Sequence, residues 1–563
     1  MVTLALLISW VVAVVFTPYL GVLLLPERKA GAAPHPHAHY DSRPYRMLRR
    51  VIAWSVEHRR LVVVATALLF VASVGGMGAV RQQFFPSSAR PELLIDVKLR
   101  QGASHRATEA AVARVEAQLA HDPDVRWYTS YIGSGAPRFV LTYNPALPND
   151  AAATIILTAT DAVARNRVRD RLRVFLADGG LPQATARLAS LELGPPVGFP
   201  VQFRVVGPDL AAVRQAADTA LVALRDTPGA RNAQLAWGER VASVHLVLDQ
   251  PRIAALGLDP TTIADGLAAM ETGLVATAIR DGTKRVDVVL RAIPSERLDL
   301  GRLGSMTLAT PAGPVRLDQV ARIEAASEEP ILWRRNRDSY LTVQSDIQDG
   351  LQAPDVTAAA RSRLDAIALP DGVRIETGAA AEESAKANVA LVAVLPLMLG
   401  SMLLLLMIQL QNLPRTLLVV ATAPLGVIGA VAGLLVTDAP FGFVALLGVI
   451  ALAGMIMRNT VILVDQVRQD EAAGLSRRDA IVESTVRRAR PVVLTALAAA
   501  FAFVPLGFNV FWGPMAIAMI GGLIVATVLT LVFLPALQAL AFRVPRAARS
   551  VAVHPAGSLA QAD

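Results

Sequence analysis

The sequence of 563 residues contains no cysteine, which excludes a disulfide framework and any metal site built on thiolates. It also lacks the GxxxxGK[ST] motif with which P-loop proteins cradle phosphates. An HExxH motif, an EF-hand loop and a plausible Ser/His/Asp group are missing as well. We therefore predict no enzymatic activity, no catalytic residue, no bound metal and no cofactor.

Acidic residues are fewer than basic ones, with 46 Asp and Glu against 54 Lys and Arg, and the net charge is +8. A nucleic-acid site would need those basic residues to form one patch. Instead, many arginines flank apolar segments, which is the pattern that orients membrane proteins. The charge distribution thus predicts membrane lipid as a partner and no nucleic acid.

Long apolar runs dominate the chain, and the mean hydropathy of +0.45 is high for a soluble protein of this length. Seven runs are long enough, or nearly so, to cross about 30 Å of hydrocarbon as helices. They are approximately residues 2–25, 61–80, 389–409, 416–436, 443–466, 491–507 and 515–541. The first is interpreted as a span because no basic residue precedes it and it is too long for a signal peptide.

The basic residues predict one orientation for all seven spans. Segments 26–60 and 467–490 and the tail after 541 are rich in arginine and are predicted to be cytoplasmic. Loops 437–442 and 508–514 contain no Lys or Arg and are predicted to lie outside. Residues 81–388 must then form a large domain on the outer side.

That outer segment contains four strand–helix–strand units, because its apolar period changes from about 2 to about 3.6 and back. The units begin at "ELLIDVKL", "ATIILTATD", "VQFRVVGPD" and "SYLTVQSDI". They predict two ferredoxin-like split-βαβ sandwiches, with an insertion at about 244–324 in the second. The predicted fold class is an α-helical membrane protein with a large α+β extracytoplasmic insertion.

One charged residue interrupts an apolar run, at Arg458 in "AGMIMRNTVILVDQ". It lies about eight residues from the end of a span near Gln466, which is roughly 12 Å into the membrane. An arginine side chain reaches only about half that depth, so snorkelling explains it poorly. A buried ionisable group marks a functional site by default. No acidic residue lies at a matching depth in the other runs, and Asp465 is interpreted as a solvated residue at the span's end.

Several strings resemble those of resistance-nodulation-division (RND) efflux permeases. They are "APLGVIGAVAGLL" at 423–435, "GMIMRNTVILVDQ" at 454–466, "RRARPVVLTALAAAFAFVPL" at 487–506, "IGSGAPRFVL" at 132–141 and "PVRLDQVARI" at 314–323. The order of one span, an outer domain of about 300 residues and five further spans is similar to a C-terminal half of such a permease. The resemblance is closest to the hydrophobe/amphiphile efflux type.

The resemblance implies a division of the chain into domains. The divisions are a transmembrane helix 1–25 that resembles the last span of a preceding half, a cytoplasmic linker 26–60, a transmembrane helix 61–80, a first porter subdomain 81–196, a second porter subdomain 197–243 and 325–386, a docking subdomain 244–324, a five-helix transmembrane bundle 389–541 and a cytoplasmic tail 542–563. On this expectation the chain is a fragment, or one half of a pump split between two chains.

The resemblance also implies a function: export of organic or amphiphilic compounds, driven by the proton-motive force. The permease would lie in the bacterial inner membrane with its large domain in the periplasm. It would form a homotrimer and work with a periplasmic adaptor and an outer-membrane channel. Two alternatives stay open: an exporter of lipids or other hydrophobic molecules, and a truncated chain inactive on its own.

The family's proton-coupling residues correspond to Arg458, Asn459, Thr495 and, less closely, Arg488. In the family the cation at the position of Arg458 is commonly lysine and faces two aspartates in the preceding half, so another segment or chain would supply them. Each position also has a structural interpretation: a helix–helix hydrogen bond for Asn459, a bond to its own helix for Thr495, and a topology charge for Arg488.

Aromatic residues beside a glycine-rich turn offer a candidate substrate path, at Tyr128, Tyr131 and Phe139. Aromatic walls suit apolar or amphiphilic guests, although strand packing explains these residues equally well. The outer segment holds only two methionines, Met270 and Met306. Metal-exporting members of the family use methionine-rich paths, so a metal cargo is not favoured.

Overall fold

A computed structural model describes residues 2–24, 42–86, 88–237, 239–293, 300–310 and 313–545 of the chain. Part of the predicted linker 26–60 and most of the predicted tail 542–563 lie outside the described residues.

The described elements alternate between long apolar helices and two blocks of strands. The first half contains α1 Val2–Leu24, α2 Arg43–Glu57, α3 Arg59–Gly76, β1 Glu92–Leu99, α4 His105–Leu119, β2 Val125–Ile132, β3 Ala152–Ala159, α5 Ala162–Ala177, β4 Ala184–Ser190, β5 Val201–Gly207, α6 Leu210–Arg225, β6 Ala230–Leu235, β7 Val241–Leu248, α7 Gln250–Ala255 and α8 Pro260–Glu271. The second half contains β8 Leu274–Asp281, β9 Lys284–Leu290, β10 Thr307–Thr310, β11 Gly313–Arg316, β12 Ala321–Glu328, β13 Arg334–Arg335, β14 Asp338–Ile347, α9 Ala353–Leu364, β15 Arg374–Thr377, α10 Ala379–Leu410, α11 Leu413–Val420, α12 Leu425–Thr437, α13 Phe443–Ala472, α14 Arg477–Gly507 and α15 Gly513–Ala541.

Within the described residues, seven stretches of helix are long and apolar enough to cross a membrane. They correspond to the seven apolar runs of the sequence, but several extend further. The predicted run 389–409 lies inside α10, and 491–507 is the second half of α14. The run 416–436 is divided into α11 and α12 by a turn that ends at Pro424, which lacks the N–H that a continuous helix requires.

The helices pack closely where their contacts are small residues. A Cβ added at Gly429 on α12 would collide with the carbonyl of Gly521 on α15, and the reverse holds for Gly521. Only glycine allows two backbones to approach so closely, as is common between membrane helices. This contact brings α12 and α15 together at the centre of the helical part.

The first block of strands forms a four-stranded antiparallel sheet in the order β2-β3-β1-β4. The alternation in "ELLIDVKL" explains its two faces. Leu93, Ile95 and Val97 are buried in the core beneath α4 and α5, whereas Asp96 and Lys98 point to the opposite face. The order and the two crossover helices are those of a split-βαβ sheet.

The second block repeats this plan in the order β13-β14-β5-β15, with β6 also paired to β14. Phe203 on β5 is fully buried in its core, against α6 and α9. Between β6 and β13 the chain forms a separate unit in which β7 pairs with β12 around its own core. The hairpin β8–β9 projects from that unit with all its residues exposed.

Candidate functional site

Arg458 lies at the middle of α13, fifteen residues after Phe443 and fourteen before Ala472. At a rise of 1.5 Å per residue, that is about 21 Å from either end of the helix. The polar last turns of α13 follow Gln466, so the apolar part of the helix, and not its full length, sets the depth of Arg458 in a membrane. That depth stays at about 12 Å for the eight residues between Arg458 and Gln466, which is more than an arginine side chain spans.

Arg458 is exposed on the surface of the described protein, and the adjacent Asn459 is partly exposed. Neither side chain makes a hydrogen bond or ion pair with any residue that the structure describes. Up to Gln466, the exposed residues of α13 are spaced three or four positions apart and so form one stripe on its surface; they are Leu447, Ala451, Gly454, Arg458 and Ile462. Two polar groups thus stand unsatisfied on an otherwise apolar helix face.

The residue after this pair is held rigidly. Thr460 and Thr422 are both fully buried, and their hydroxyls are 2.9 Å apart. Each also lies within hydrogen-bond distance of a carbonyl of its own segment, Ile456 for Thr460 and Val419 for Thr422. The contact fixes α13 to the turn between α11 and α12, and it sets the direction in which Arg458 and Asn459 project.

Arg488 is not brought to Arg458. Its side chain donates to Oε1 of Gln466, from Nε at 3.0 Å and from Nη2 at 2.6 Å. The amide of Gln466 donates in turn to Asp470 at 3.1 Å, and this buried carboxylate also accepts from Ser484 and Arg487. Arg488 therefore belongs to a polar cluster that joins the ends of α13 and α14.

The same contact fixes the depth of Thr495. The helices α13 and α14 are consecutive and antiparallel, and the contact between Gln466 and Arg488 places these two residues at the same depth. Eight residues further into the membrane, position 458 of α13 is therefore level with position 496 of α14. Thr495 thus lies at about the depth of Arg458. Thr495 is exposed, and its hydroxyl donates to the Val492 carbonyl at 3.0 Å, which is a bond to its own helix.

A second candidate site is a cavity of about 490 Å³ between the two sheets. Its first wall is the open face of the first sheet, and its second wall includes Phe199 and Gln234. Three polar links cross near it. Lys98 Nζ donates to the Ala236 carbonyl at 2.9 Å, Arg187 pairs with Asp346 at 3.0 Å, and Arg173 pairs with Asp349. The guanidinium of Arg187 also lies 4.1 Å from the ring centre of Phe199.

The charges in this cavity are held away from water. Burial raises the pKa of the Asp96 carboxyl, although Arg187 and a 3.0 Å hydrogen bond from Thr154 oppose that effect. Burial likewise lowers the pKa of Lys98, and Asp96 partly offsets this. One carboxylate, one ammonium and one guanidinium beside apolar and aromatic walls suit an amphiphilic guest with polar groups.

The three aromatic residues predicted for a substrate path do not line this cavity. Tyr128 packs against the core of the first sheet, and Tyr131 packs against a small adjoining cluster. Phe139 is exposed, and its ring centre lies 5.4 Å from that of Tyr143, which does line the cavity. The sequence signal for the cavity was instead the polar pair Asp96 and Lys98 on the face opposite the core.

Glu192 occupies a smaller cavity of about 170 Å³ next to Phe84 and Phe85, where the chain from α3 enters the two sheets. Its carboxyl makes no hydrogen bond or ion pair within the described residues. Burial raises its pKa to about 7, which Arg187 opposes and Asp346 reinforces. The group therefore changes charge near neutral pH.

Comparison with known proteins gives one family match and relatives of about twice the length. The sequence profile of the AcrB/AcrD/AcrF family matches residues 1–541. The chain is 26% identical over 560 residues to the nickel-cobalt-cadmium resistance protein NccA of Alcaligenes xylosoxydans xylosoxydans, which covers 96% of this chain and 51% of that protein. It is 23% identical over 506 residues to the multidrug resistance protein MdtC of Yersinia pestis bv. Antiqua (strain Angola), which covers 86% and 48% respectively.

A solved structure shares the fold. The crystal form II structure of a heavy metal efflux pump superposes with a TM-score of 0.71 at 24% identity, over 88% of this chain and 52% of that one. The chain thus spans about half the length of the curated relatives and of the solved structure that it matches.

Proposed function

The chain belongs to the AcrB/AcrD/AcrF family of RND permeases, which are transporters and not enzymes, and we propose that it contributes to proton-driven export of organic or amphiphilic compounds. The observation that carries this proposal is the pair Arg458 and Asn459 at the centre of α13, whose side chains have no partner among the residues that the structure describes. A charge at that depth costs several kcal/mol unless it is paired. The pair therefore needs an acidic partner. We assign to Arg458 and Asn459, together with that partner, the coupling of ion movement to transport.

Arg458 acts in this proposal as a fixed counter-ion. A guanidinium does not lose its proton at physiological pH, so it cannot itself carry the transported proton. A nearby guanidinium favours the ionised form of a carboxylate, and its withdrawal favours the protonated form. A change in the distance between Arg458 and a carboxylate would thus bind or release a proton.

The acidic partner comes from a helix outside the described residues, either in another part of the same protein or in a second chain. The apolar stretches that the structure describes carry no Asp or Glu near their midpoints. The exposed stripe of α13 on which Arg458 lies is the surface that this helix would cover. The small residues Ala451 and Gly454 beside Arg458 permit a close approach.

The other predicted coupling residues take separate roles. Asn459 would hydrogen-bond to the same acidic group, and Thr495 lies at the right depth to reach it by rotation of its hydroxyl. Arg488 would keep α13 and α14 in register through Gln466 rather than take part in proton transfer. The supporting observations are the amide of Asn459, which has no hydrogen-bond partner in the described part of the chain, and the two bonds from Arg488 to Gln466.

The two sheets and their insertion suit the porter and docking roles. We assign residues 81–196 and 197–243 with 325–386 to the porter, and residues 244–324 to docking. The apolar helices would lie in the bacterial inner membrane with this domain in the periplasm. Assembly as a homotrimer with an adaptor and an outer-membrane channel belongs to the same proposal.

The substrate class rests on the cavity between the sheets. The relatives include proteins named for heavy-metal resistance, but this cavity places Lys98 and Arg187 beside its one carboxylate, and cations repel a metal ion. The described residues contain no group of three His, Cys, Asp or Glu that could hold a metal. Met270 and Met306 lie in the insertion, away from the cavity walls. The chemistry favours an organic guest, of which a lipid-like molecule is one form.

The test is efflux from a bacterium that expresses the chain with the genes that flank it. Cells with wild-type protein should accumulate less of a fluorescent amphiphile such as ethidium than cells with Arg458→Ala. The matched control is Arg468→Ala, on the same helix, where the arginine pairs with Asp465 at 2.9 Å and is exposed. Unchanged export by Arg458→Ala would contradict the role of Arg458 in coupling. If cells expressing the wild type accumulate ethidium but become resistant to Ni²⁺ or Zn²⁺, the substrate class is wrong.

The source of the acidic partner is tested separately. We expect a flanking coding sequence, or an in-frame extension, to encode apolar spans with two adjacent aspartates in one of them. Absence of any such sequence in the genome, together with no export by the wild type, would favour a chain that is inactive on its own.

A further inference from the structure

The helix α2, Arg43–Glu57, carries a surface whose chemistry the transport role does not use. Its inner face is firmly packed: Ile52, Ser55 and Val56 are buried against the ends of α13, α14 and α15. Two ion pairs fix it to α14, Arg49 with Glu483 at 2.8 Å and Glu57 with Arg478 at 2.9 Å. The helix is therefore held in one orientation, and its opposite face is fixed outward.

That outward face combines cationic and apolar side chains. With 3.6 residues per turn, Arg43, Met47, Arg50 and Trp54 project within about 60° of one another. All four are exposed, with Met47 at 63% and Trp54 at 47%. A soluble surface rarely presents methionine and tryptophan beside arginines, whereas a helix lying at a membrane surface does so routinely. The mixture points to an interface between water and hydrocarbon.

The arginines of this face are not neutralised by the protein. Arg43, Arg46 and Arg50 are exposed and have no ion pair within the described residues, and the same holds for Arg60 at the start of α3. Glu57, the acidic residue of α2, is already paired with Arg478. The surface thus presents several uncompensated positive charges. Arg46 and Arg50, one helical turn apart, can share one phosphate group.

The chain's path puts this face at the height of the headgroups. Only His58 separates α2 from α3, which is one of the stretches apolar enough to span a membrane. The ring of Trp54 stacks on that of His58 with 5.0 Å between centres, so Trp54 lies where α3 begins. Tryptophan prefers the boundary between headgroups and hydrocarbon.

We propose that the outward face of α2 is a binding site for anionic phospholipids: the phosphodiester binds Arg43, Arg46 and Arg50, and Met47 and Trp54 contact the upper acyl chains. The site does not depend on the proposed transport function, since it uses none of the residues assigned to coupling or to the cavity. A basic residue near an anionic membrane surface strengthens binding roughly fivefold. Three such residues should together favour anionic over zwitterionic lipid by at least tenfold.

The test measures lipids bound to the purified full-length chain by native mass spectrometry, with phosphatidylglycerol and phosphatidylcholine of equal chain length in competition. Wild type should prefer phosphatidylglycerol. In the triple variant Arg43→Gln, Arg46→Gln, Arg50→Gln, the ratio of bound phosphatidylglycerol to bound phosphatidylcholine should fall at least tenfold. The same three positions changed to Lys should retain most of it, because the charges remain. The matched control changes Arg106 and Arg114 on α4 and Arg225 on α6 to Gln, which are exposed arginines without ion pairs in the described structure.

Three results would overturn the proposal. The first is that the Gln triple variant keeps the wild-type preference for phosphatidylglycerol. The second is that the control variant loses this preference equally, because the effect would then be a general one of charge. Displacement of bound phosphatidylglycerol by soluble glycerol phosphate at equal concentration would show a site for free phosphate instead. Folding of the variants is checked by the thermal unfolding of each, which should match that of the wild type because all replaced side chains are exposed.

Discussion

Replacement of Glu192 by glutamine should stabilise the protein, by an amount that grows as the pH rises from about 4.5 to about 7. In the folded protein its pKa is raised to about 7 by burial, against an ordinary value of 4.5. The folded state therefore binds the proton more tightly than the unfolded chain does. A shift of about 2.5 units corresponds to roughly 3 kcal/mol between the two protonation states.

The sign follows from which state holds the proton. Below about pH 4.5 the carboxyl is protonated in both states, and Glu192 costs nothing. Between about pH 4.5 and 7 the unfolded chain has lost the proton while the folded protein still holds it, so stability falls with rising pH across this range; above 7 both states are ionised and stability levels off. Glutamine resembles the protonated acid at every pH. The gain from Glu192→Gln should therefore approach zero near pH 4.5 and reach at most about 3 kcal/mol above pH 8.

The assay is thermal unfolding of the full chain in detergent, followed by tryptophan fluorescence at several pH values between 5 and 8.5. We expect the apparent Tm difference between variant and wild type to grow with pH to several degrees. Glu109→Gln is the control, because Glu109 is exposed on α4 and has no ion pair within the described residues. A Glu192→Gln difference that is the same at pH 5 and pH 8 would refute the burial argument.

Three further predictions concern the contacts around the two candidate sites. Arg187→Ala removes the link to the second sheet, so a cysteine introduced at Gln234 in the cavity wall should react several-fold faster with a bulky maleimide; the absence of native cysteine makes that label specific. An unchanged labelling rate would mean that the pair does not hold the cavity closed. Thr460→Val should cost about 1 kcal/mol of stability, seen as a lower apparent Tm, because the buried hydroxyl contact is lost while the shape is kept. Asp470→Asn should cost about 2 kcal/mol, since it leaves the partner cation Arg487 without its buried carboxylate, and a Tm equal to wild type would contradict that role.

Periodicity predicted the regular elements well wherever both faces of an element differ in polarity. The strand predicted from "ELLIDVKL" coincides with β1, Glu92–Leu99, because apolar and polar residues alternate there. The helix α2 was included in a linker, although Tyr45, Leu48, Ile52 and Val56 have helical spacing. Its adjacent residues rich in Pro and His obscured that signal. Likewise, α10 begins at Ala379, ten residues before its apolar run, since its first turns are polar.

The candidate site was predictable only where one residue conflicts with its surroundings. Arg458 could be found because a charge in an apolar run is costly wherever the helix packs. The contact between Arg488 and Gln466 could not, because it depends on the register between two helices. For the cavity, the sequence indicates one wall, since Asp96 and Lys98 alternate with buried residues and so lie on the face opposite the core. What faces them, Arg187 with its partner Asp346, depends on how the two sheets meet.

The measurement that tests the central claim most directly is substrate-driven proton movement in everted membrane vesicles that contain the chain with its flanking gene products. Addition of an exported amphiphile to energised vesicles should dissipate the proton gradient, reported by a pH-sensitive acridine dye, in wild type and in Arg468→Ala. Arg458→Ala should abolish this response, and Arg458→Lys should restore part of it, because the positive charge returns. Equal proton movement in wild type and Arg458→Ala would contradict the assignment of Arg458 to ion coupling.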